Sequence, residues 1–150
     1  EISGDEHLIP INEKFRVGGF AFLQTDDIDT PTSFFRILGQ AIENDCDFGY
    51  IDKNIQEKDL QGLKFGIQKA DIMLFAFFFK PTAYKPMSVP DEIMHAYKTL
   101  SEGKKKIAIL FGNPYLKDKI DADLIISPFS DSLPSIAATI LKLSGRNMDF

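Results

Sequence analysis

Ala70–Phe79 reads ADIMLFAFFF, and from Ile72 to Phe79 it runs eight residues without a polar side chain. A strand with one wet face would alternate polar and apolar residues, so a run apolar on both faces belongs in the middle of a sheet covered by helices above and below. Eight residues also fall far short of the roughly 18–20 that span a bilayer. The stretch therefore predicts a buried central strand.

Strands and helices alternate outward from it. Upstream, Phe15–Gln24 (FRVGGFAFLQ) is aromatic and β-branched, and its glycines, flanked by apolar residues, mark close approach to the backbone. Thr30 before Pro31 has the order of an N-cap and first helical residue. Phe34, Phe35, Leu38, Ala41 and Ile42 then recur at helical spacing, which predicts a helix over about 31–44. Phe48–Ile51 is a short second strand. Asn54 and Glu57 have capping-box spacing before a helix over about 56–69 that carries Leu60, Leu63, Phe65 and Ile67, with two interior glycines weakening it.

Downstream, the loop KPTAYKPMS (80–88) leads to a third helix with Ser88 as cap and Asp91 three residues on. Its stripe is Ile93, Met94, Tyr97 and Leu100, and Gly103 ends it. Lys106–Phe111 and Ala122–Phe129 are the fourth and fifth strands. A last helix follows Asp131 or Ser132, with Ile136, Ala137, Ile140 and Leu141 inward and Gly145 as its stop. Residues 1–14 hold one short apolar knot, Leu8–Ile11, broken by Pro10, and read as a linker docked on a domain over 15–150. Such alternation demands parallel pairing and right-handed crossovers: an α/β fold, a three-layer αβα sandwich with a mostly parallel, doubly wound sheet of about five strands, flavodoxin-like.

At 150 residues the chain is one domain's length. Its 17 basic and 22 acidic side chains give a net charge of −5, which supplies no field for nucleic acid or anionic lipid. One cysteine and two histidines make a poor stock of soft metal ligands. The chain begins at Glu1 without an initiator Met or leader, which suggests a segment of a larger parent.

Ligands of open parallel sheets gather outside the carboxyl ends of the strands, so the loops of interest are Thr25–Thr30, Lys80–Ser88, Gly112–Leu116 and Ser130–Pro134. The first carries Asp26, Asp27 and Asp29 where a dinucleotide site needs glycines, and three carboxylates repel phosphate. No phosphate-binding glycine loop or nucleophile elbow is present. Asp26 and Asp27 resemble the acids of a phosphoacceptor receiver domain, but the third strand ends Phe79-Lys80-Pro81 where that chemistry needs aspartate, so an acidic capping turn is favoured. Asp91 and Glu92, although carboxylates able to act as acids, sit where a helix dipole stabilises them structurally. His7 and His95 belong to no ligand-spaced cluster. Cys46, between Asp45 and Asp47 after the first helix, is expected to be inert, because negative neighbours raise a thiol pKa. Asn113-Pro114-Tyr115 is the most specific local feature, a sharp stiffened turn that presents an aromatic hydroxyl. It reads either as a packed turn whose Tyr115 covers the sheet end, the favoured reading, or as a ligand contact.

The order of these elements, with ADIMLFAFFFKPTAYK, ILFGNPYLKD, ADLIISPFSDS and LKLSG, resembles the carboxy-terminal α/β sandwich domain of family 3 glycoside hydrolases over essentially the whole chain. FGNPYL and Phe129-Ser130-Asp131 are the most specific pieces; the latter resembles the family's Tyr-Ser-Asp with Phe for Tyr. The resemblance implies a preceding (β/α)8 barrel that carries the nucleophile, an intramolecular partner absent here. It also implies carbohydrate contact through the parent and no cofactor. A loop after the third strand poor in glutamate favours the β-N-acetylhexosaminidase-like branch over the β-glucosidase branch. Retaining hydrolysis needs two carboxylates about 5 Å apart; with no convincing pair here, the isolated chain is expected not to hydrolyse glycosides. Asn113, Tyr115, Ser130, Asp131, Lys80 and Tyr84 become candidates for a substrate-cleft edge or domain interface. Periplasmic or secreted placement is expected of such a parent, with cytoplasmic placement left open. The GRNMDF ending suggests a cut just short of the family domain's last segment. The alternative is a free-standing flavodoxin-like module that binds a ligand or protein.

Overall fold

The computed structural model describes residues 1–24, 28–79 and 89–146. The apolar run forms β4 (Ile72–Phe78), buried in all but its last residue. It pairs in parallel with β2 (Val17–Leu23) on one side and β5 (Lys105–Leu110) on the other. Beyond β2 lies β3 (Cys46–Ile51), and beyond β5 lies β6 (Leu124–Ile126), both parallel. β1 (Ile2–Gly4) runs antiparallel along β6, so the order is β1-β6-β5-β4-β2-β3. The chain is thus an α/β domain with a six-stranded, mostly parallel sheet. It doubles back at β2, with β3 on one side and β4 on the other, and that reversal is a topological switch point.

Alternation along β4 feeds two cores. Ile72, Leu74 and Ala76 point to the face covered by α1 (Asp29–Ala41) and α4 (Leu133–Ser144). Met73, Phe75 and Phe77 point to the face covered by α2 (Glu57–Gly66) and α3 (Asp91–Ser101). On the second face Phe22 stacks on Phe75 at 5.9 Å, and the Tyr97 ring meets Phe75 edge-on at 5.0 Å. The Tyr97 hydroxyl donates to the Asp121 carbonyl. Burial, then the charges of Asp121 and Asp123, push its phenol well above its ordinary value. On the first face a Cβ at Gly19 would lie 2.8 Å from the Phe48 ring, which stacks on Phe35 at 4.3 Å. Close approach is therefore what the paired glycines serve.

Several local expectations are corrected. Residues 1–14 hold β1, too short at three residues to show a period. It is anchored because the Ser127 amide donates to the Glu1 carbonyl at 2.8 Å and Lys117 pairs with the Glu1 carboxylate at 2.9 Å. α1 starts two residues early, with Ile28 rather than Thr30 at the cap, and the Thr32 amide bonds the Ile28 carbonyl at 2.9 Å. No capping box forms at Asn54: its amide donates to Asp52 at 2.8 Å, and Gln56 is the cap. Pro90 caps α3; the expected cap, Ser88, lies outside the described residues. In α2 only Leu60 is buried, Leu63 is half-buried and Phe65 is 73% exposed. α4 is turned from its expected register, burying Thr139 and Leu143 while Leu141 faces out. Thr139 is tolerated there because its hydroxyl donates to the Ser135 carbonyl at 2.8 Å. Gly103 and Gly145 do end their helices, at φ 71° and 72°.

Candidate functional site

The carboxyl ends of β5 and β6 present adjacent loops, and the Gly112 amide ties them by donating to the Pro128 carbonyl at 3.3 Å. Gly112 sits at φ 70°, a left-handed turn that suits a residue without a side chain. The turn drives Asn113 into the protein, where it is fully buried. Its Nδ2 donates to the Phe79 carbonyl at 2.9 Å, clamping the end of β4 to the β5 turn. Among the described residues its buried Oδ1 has no hydrogen-bond partner. An orphaned buried acceptor costs about 1–3 kcal/mol, so this atom is either a stored cost or a waiting contact for an O–H or N–H donor.

Around Asn113 the loops turn apolar and hydroxyl groups outward. Pro114 starts a 3-10 turn, Pro114–Lys119, in which Leu116 is buried and Tyr115 is 70% exposed. Tyr115 therefore does not cover the sheet end; its neighbour Leu116 does. Past β6, Phe129 is 99% exposed and Leu133 58%. Ser130 Oγ bonds Ser132 Oγ at 2.8 Å and Ser135 Oγ at 3.1 Å, a chain of hydroxyls at the start of α4. Asp131 beside them is half-buried. The structure thus places Asn113, Tyr115, Ser130 and Asp131 on two tied loops at one edge of the sheet. Lys80 and Tyr84, like Asp26 and Asp27, lie outside the described residues.

The remaining candidates lie apart from these loops. Asp91 and Glu92 are exposed in the first turn of α3. His95 Nε2 is 3.0 Å from Glu57 Oε2, and His7 lies in the 3-10 turn Glu6–Leu8. Cys46 opens β3 instead of following α1 directly. Its thiol donates to the Asn44 carbonyl at 3.1 Å and is pushed up first by burial and then by Asp45. Among the described residues no cluster could hold a metal ion, and no helix is long and apolar enough to cross a membrane.

A concavity away from these loops was not anticipated. A groove of about 680 Å³ opens at the carboxyl ends of β2 and β3, lined by Ile28, Tyr50, Asn54, Lys58, Asp59 and Gly62 among others. The one sequence signal for it was an unexplained glycine inside a helix.

The fold is an α/β domain with a mostly parallel sheet whose β5 and β6 loops are tied together at the strand ends. No protein-family model matches the chain, and no curated protein matches it. Among solved structures it is similar to the beta-glucoside phosphorylase BglX, with a TM-score of 0.68 at 15% sequence identity. The likeness covers 98% of this chain and 27% of that one. It concerns the fold, and the chain spans about a quarter of the length of the protein it matches.

Proposed function

We propose that the chain is a non-catalytic α/β domain of a larger enzyme acting on β-linked glycosides, of the family 3 glycoside hydrolase type. In this reading it packs against a (β/α)8 barrel that supplies the nucleophile. The observation that carries it is the correspondence of nearly the whole chain to a 27% portion of a far longer beta-glucoside enzyme. The sequence resemblance points the same way, and the loop over 80–88, poor in glutamate, favours a β-N-acetylhexosaminidase-like specificity.

The tied loops supply the docking chemistry. Phe129, Leu133 and Tyr115 expose apolar area on one edge, which an interdomain contact would remove from water at roughly 25 cal/mol per Å². Asn113 sits behind them with an acceptor that no described residue fills, so a donor from the barrel or from a sugar hydroxyl would satisfy it. Ser130 and Asp131 would then border the cleft as positioning groups.

Phe129→Asp tests this. In the parent enzyme it should uncouple the domains and reduce turnover of aryl β-glycosides at least tenfold. In the isolated chain it should leave the melting temperature unchanged, since a side chain 99% exposed stabilises nothing within the domain. Unchanged turnover by the parent variant would remove this edge from the interface.

A further inference from the structure

We propose that the outer edge of β3 is a pairing surface for a second copy of this chain, joined antiparallel about a two-fold axis at Phe48 so that the two sheets become one. The inference is independent of the glycosidase reading.

The two edges of the sheet differ. β1 is three residues long and ends at Gly4 with φ 115°, a short edge that offers little to pair with. β3 is six residues long, pairs with β2 in unbroken register from Cys46 to Ile51, and contains no proline, no lysine and no bulge, the devices that blunt an edge. The Val17 amide donates to the Asp45 carbonyl at 2.8 Å. Alternation then turns the backbone groups of Asp47, Gly49 and Ile51 toward β2 and those of Cys46, Phe48 and Tyr50 outward. Among the described residues nothing hydrogen-bonds to these outward backbone groups.

A second copy fits this edge residue by residue. With Phe48 opposite Phe48, Cys46 falls opposite Tyr50, and each outward residue exchanges both backbone bonds with its opposite number. On the face under α1, Phe48 stacks on Phe35 at 4.3 Å and Tyr50 meets Phe35 edge-on at 6.0 Å, so the two aromatic sets become continuous. Gly39 of α1 is exposed, and a Cβ on it would lie 3.9 Å from the Phe48 ring, so the helix is bare where the axis passes. On the other face Asp47 falls opposite Gly49, which has no side chain to meet it; a Cβ there would lie 2.9 Å from the Phe20 ring. Just past the strand ends, exposed Glu43, which also reaches Arg146 at 3.4 Å, approaches exposed Lys53 of the second copy, twice over by symmetry. Moving the axis to Asp47 would set two Asp47 carboxylates together, and moving it to Gly49 would carry Cys46 past the strand onto Asp52. The edge is thus complementary to itself in one register, which selects a second copy over an unrelated strand.

The test is sedimentation equilibrium of the chain as wild type, Lys53→Glu and the exchange Glu43→Lys with Lys53→Glu, together with a cross-linking arm. A reversible dimer is expected, weakened about tenfold by Lys53→Glu, which sets like charges together at both ends, and restored by the exchange. In Tyr50→Cys the introduced thiol should lie opposite Cys46 of the second copy at the Cα spacing of about 5.5 Å that a disulfide bridges. Glutathione disulfide should therefore give a covalent dimer, and adding Cys46→Ser should abolish it. A chain monomeric at every concentration would overturn the proposal, even if another segment of the parent protected the amides of Cys46, Phe48 and Tyr50 from exchange. A dimer indifferent to both charge changes, or a cross-link that survives Cys46→Ser, would place the contact elsewhere or in another register and overturn it equally. Should Tyr50→Cys fail to fold, the charge variants, both at exposed positions, decide the matter alone.

Discussion

The two helices that flank β3 are built on opposite principles. α1, which carries the chain from β2 to β3, buries Pro31, Phe34, Phe35, Ile37, Leu38 and Ala41. α2, which carries it from β3 to β4, buries only Leu60, exposes Phe65 and has Gly62 in its interior. α2 and the segments beside it are held at the surface by polar links: Lys64 to Glu102 at 2.9 Å, Glu57 to His95 at 3.0 Å, and Lys104 to the Gln68 and Ala70 carbonyls at 2.8 Å. Exposed pairs of this kind contribute little. One crossover is therefore spent on the core, and the other is left loosely fastened with a groove along it, the kind of element from which binding surfaces are drawn.

Removing a ring from α1 should give the largest effect. Phe34 is fully buried against Phe35 and Phe111, at 5.2 and 5.1 Å between ring centroids. Phe34→Ala should cost about 3–5 kcal/mol in urea unfolding, whereas Phe65→Ala on α2 should cost almost nothing. Equal losses would erase the contrast.

In the core shared by α2 and α3 the Tyr97 ring carries a buried hydroxyl. Tyr97→Phe should cost about 1 kcal/mol at neutral pH by leaving the Asp121 carbonyl without its donor. The native phenol holds its proton beyond the ordinary value of 10.0. The unfolded chain loses that proton first, so wild-type stability should fall as pH rises above 10, and the variant should lack this component of the fall. Thermal melts of both proteins across alkaline pH would read it.

Gly62→Ala should change the sign, stabilising the domain by up to about 1 kcal/mol through helix propensity alone. The same change at Gly19 should destabilise it, because the new methyl would strike Phe48.

The smallest effect belongs to Glu57. Bonds from Gln61, then His95, hold its carboxyl below the ordinary 4.5. Its contribution is present above that value and lost as pH falls through the lowered one. His95→Ala should slightly weaken stability above that range and narrow the difference in stronger acid, measurable by thermal melts at low ionic strength.

The same contrast explains what the sequence discloses. β4, β2 and α1 are legible because burial on two faces, or along a stripe, leaves an uninterrupted apolar pattern at Ile72–Phe79 and Phe34–Ala41. α2 misleads: Phe65 is apolar, but five residues on from Leu60 it lies roughly 140° around the helix from that buried side chain and faces water. β1 is invisible because three residues carry no period and its pairing is decided by β6. At the site, Asn113 stands out through its Gly-Asn-Pro turn, but its burial and free Oδ1 arise from the clamp to Phe79, a contact across 34 residues. In the 3-10 turn starting at Pro114 it is Leu116 that is buried, and Tyr115, expected to cover the sheet end, faces out. The groove draws on β2, β3 and α2 together, and only Gly62 hints at it.

Comparing turnover of aryl N-acetyl-β-glucosaminide and aryl β-glucoside by this chain alone and by its parent protein tests the central claim most directly. The account predicts no turnover by the isolated chain and turnover of one of the two by the parent, the substrate naming the branch. Turnover by the isolated chain, or a parent inactive on both, would contradict it.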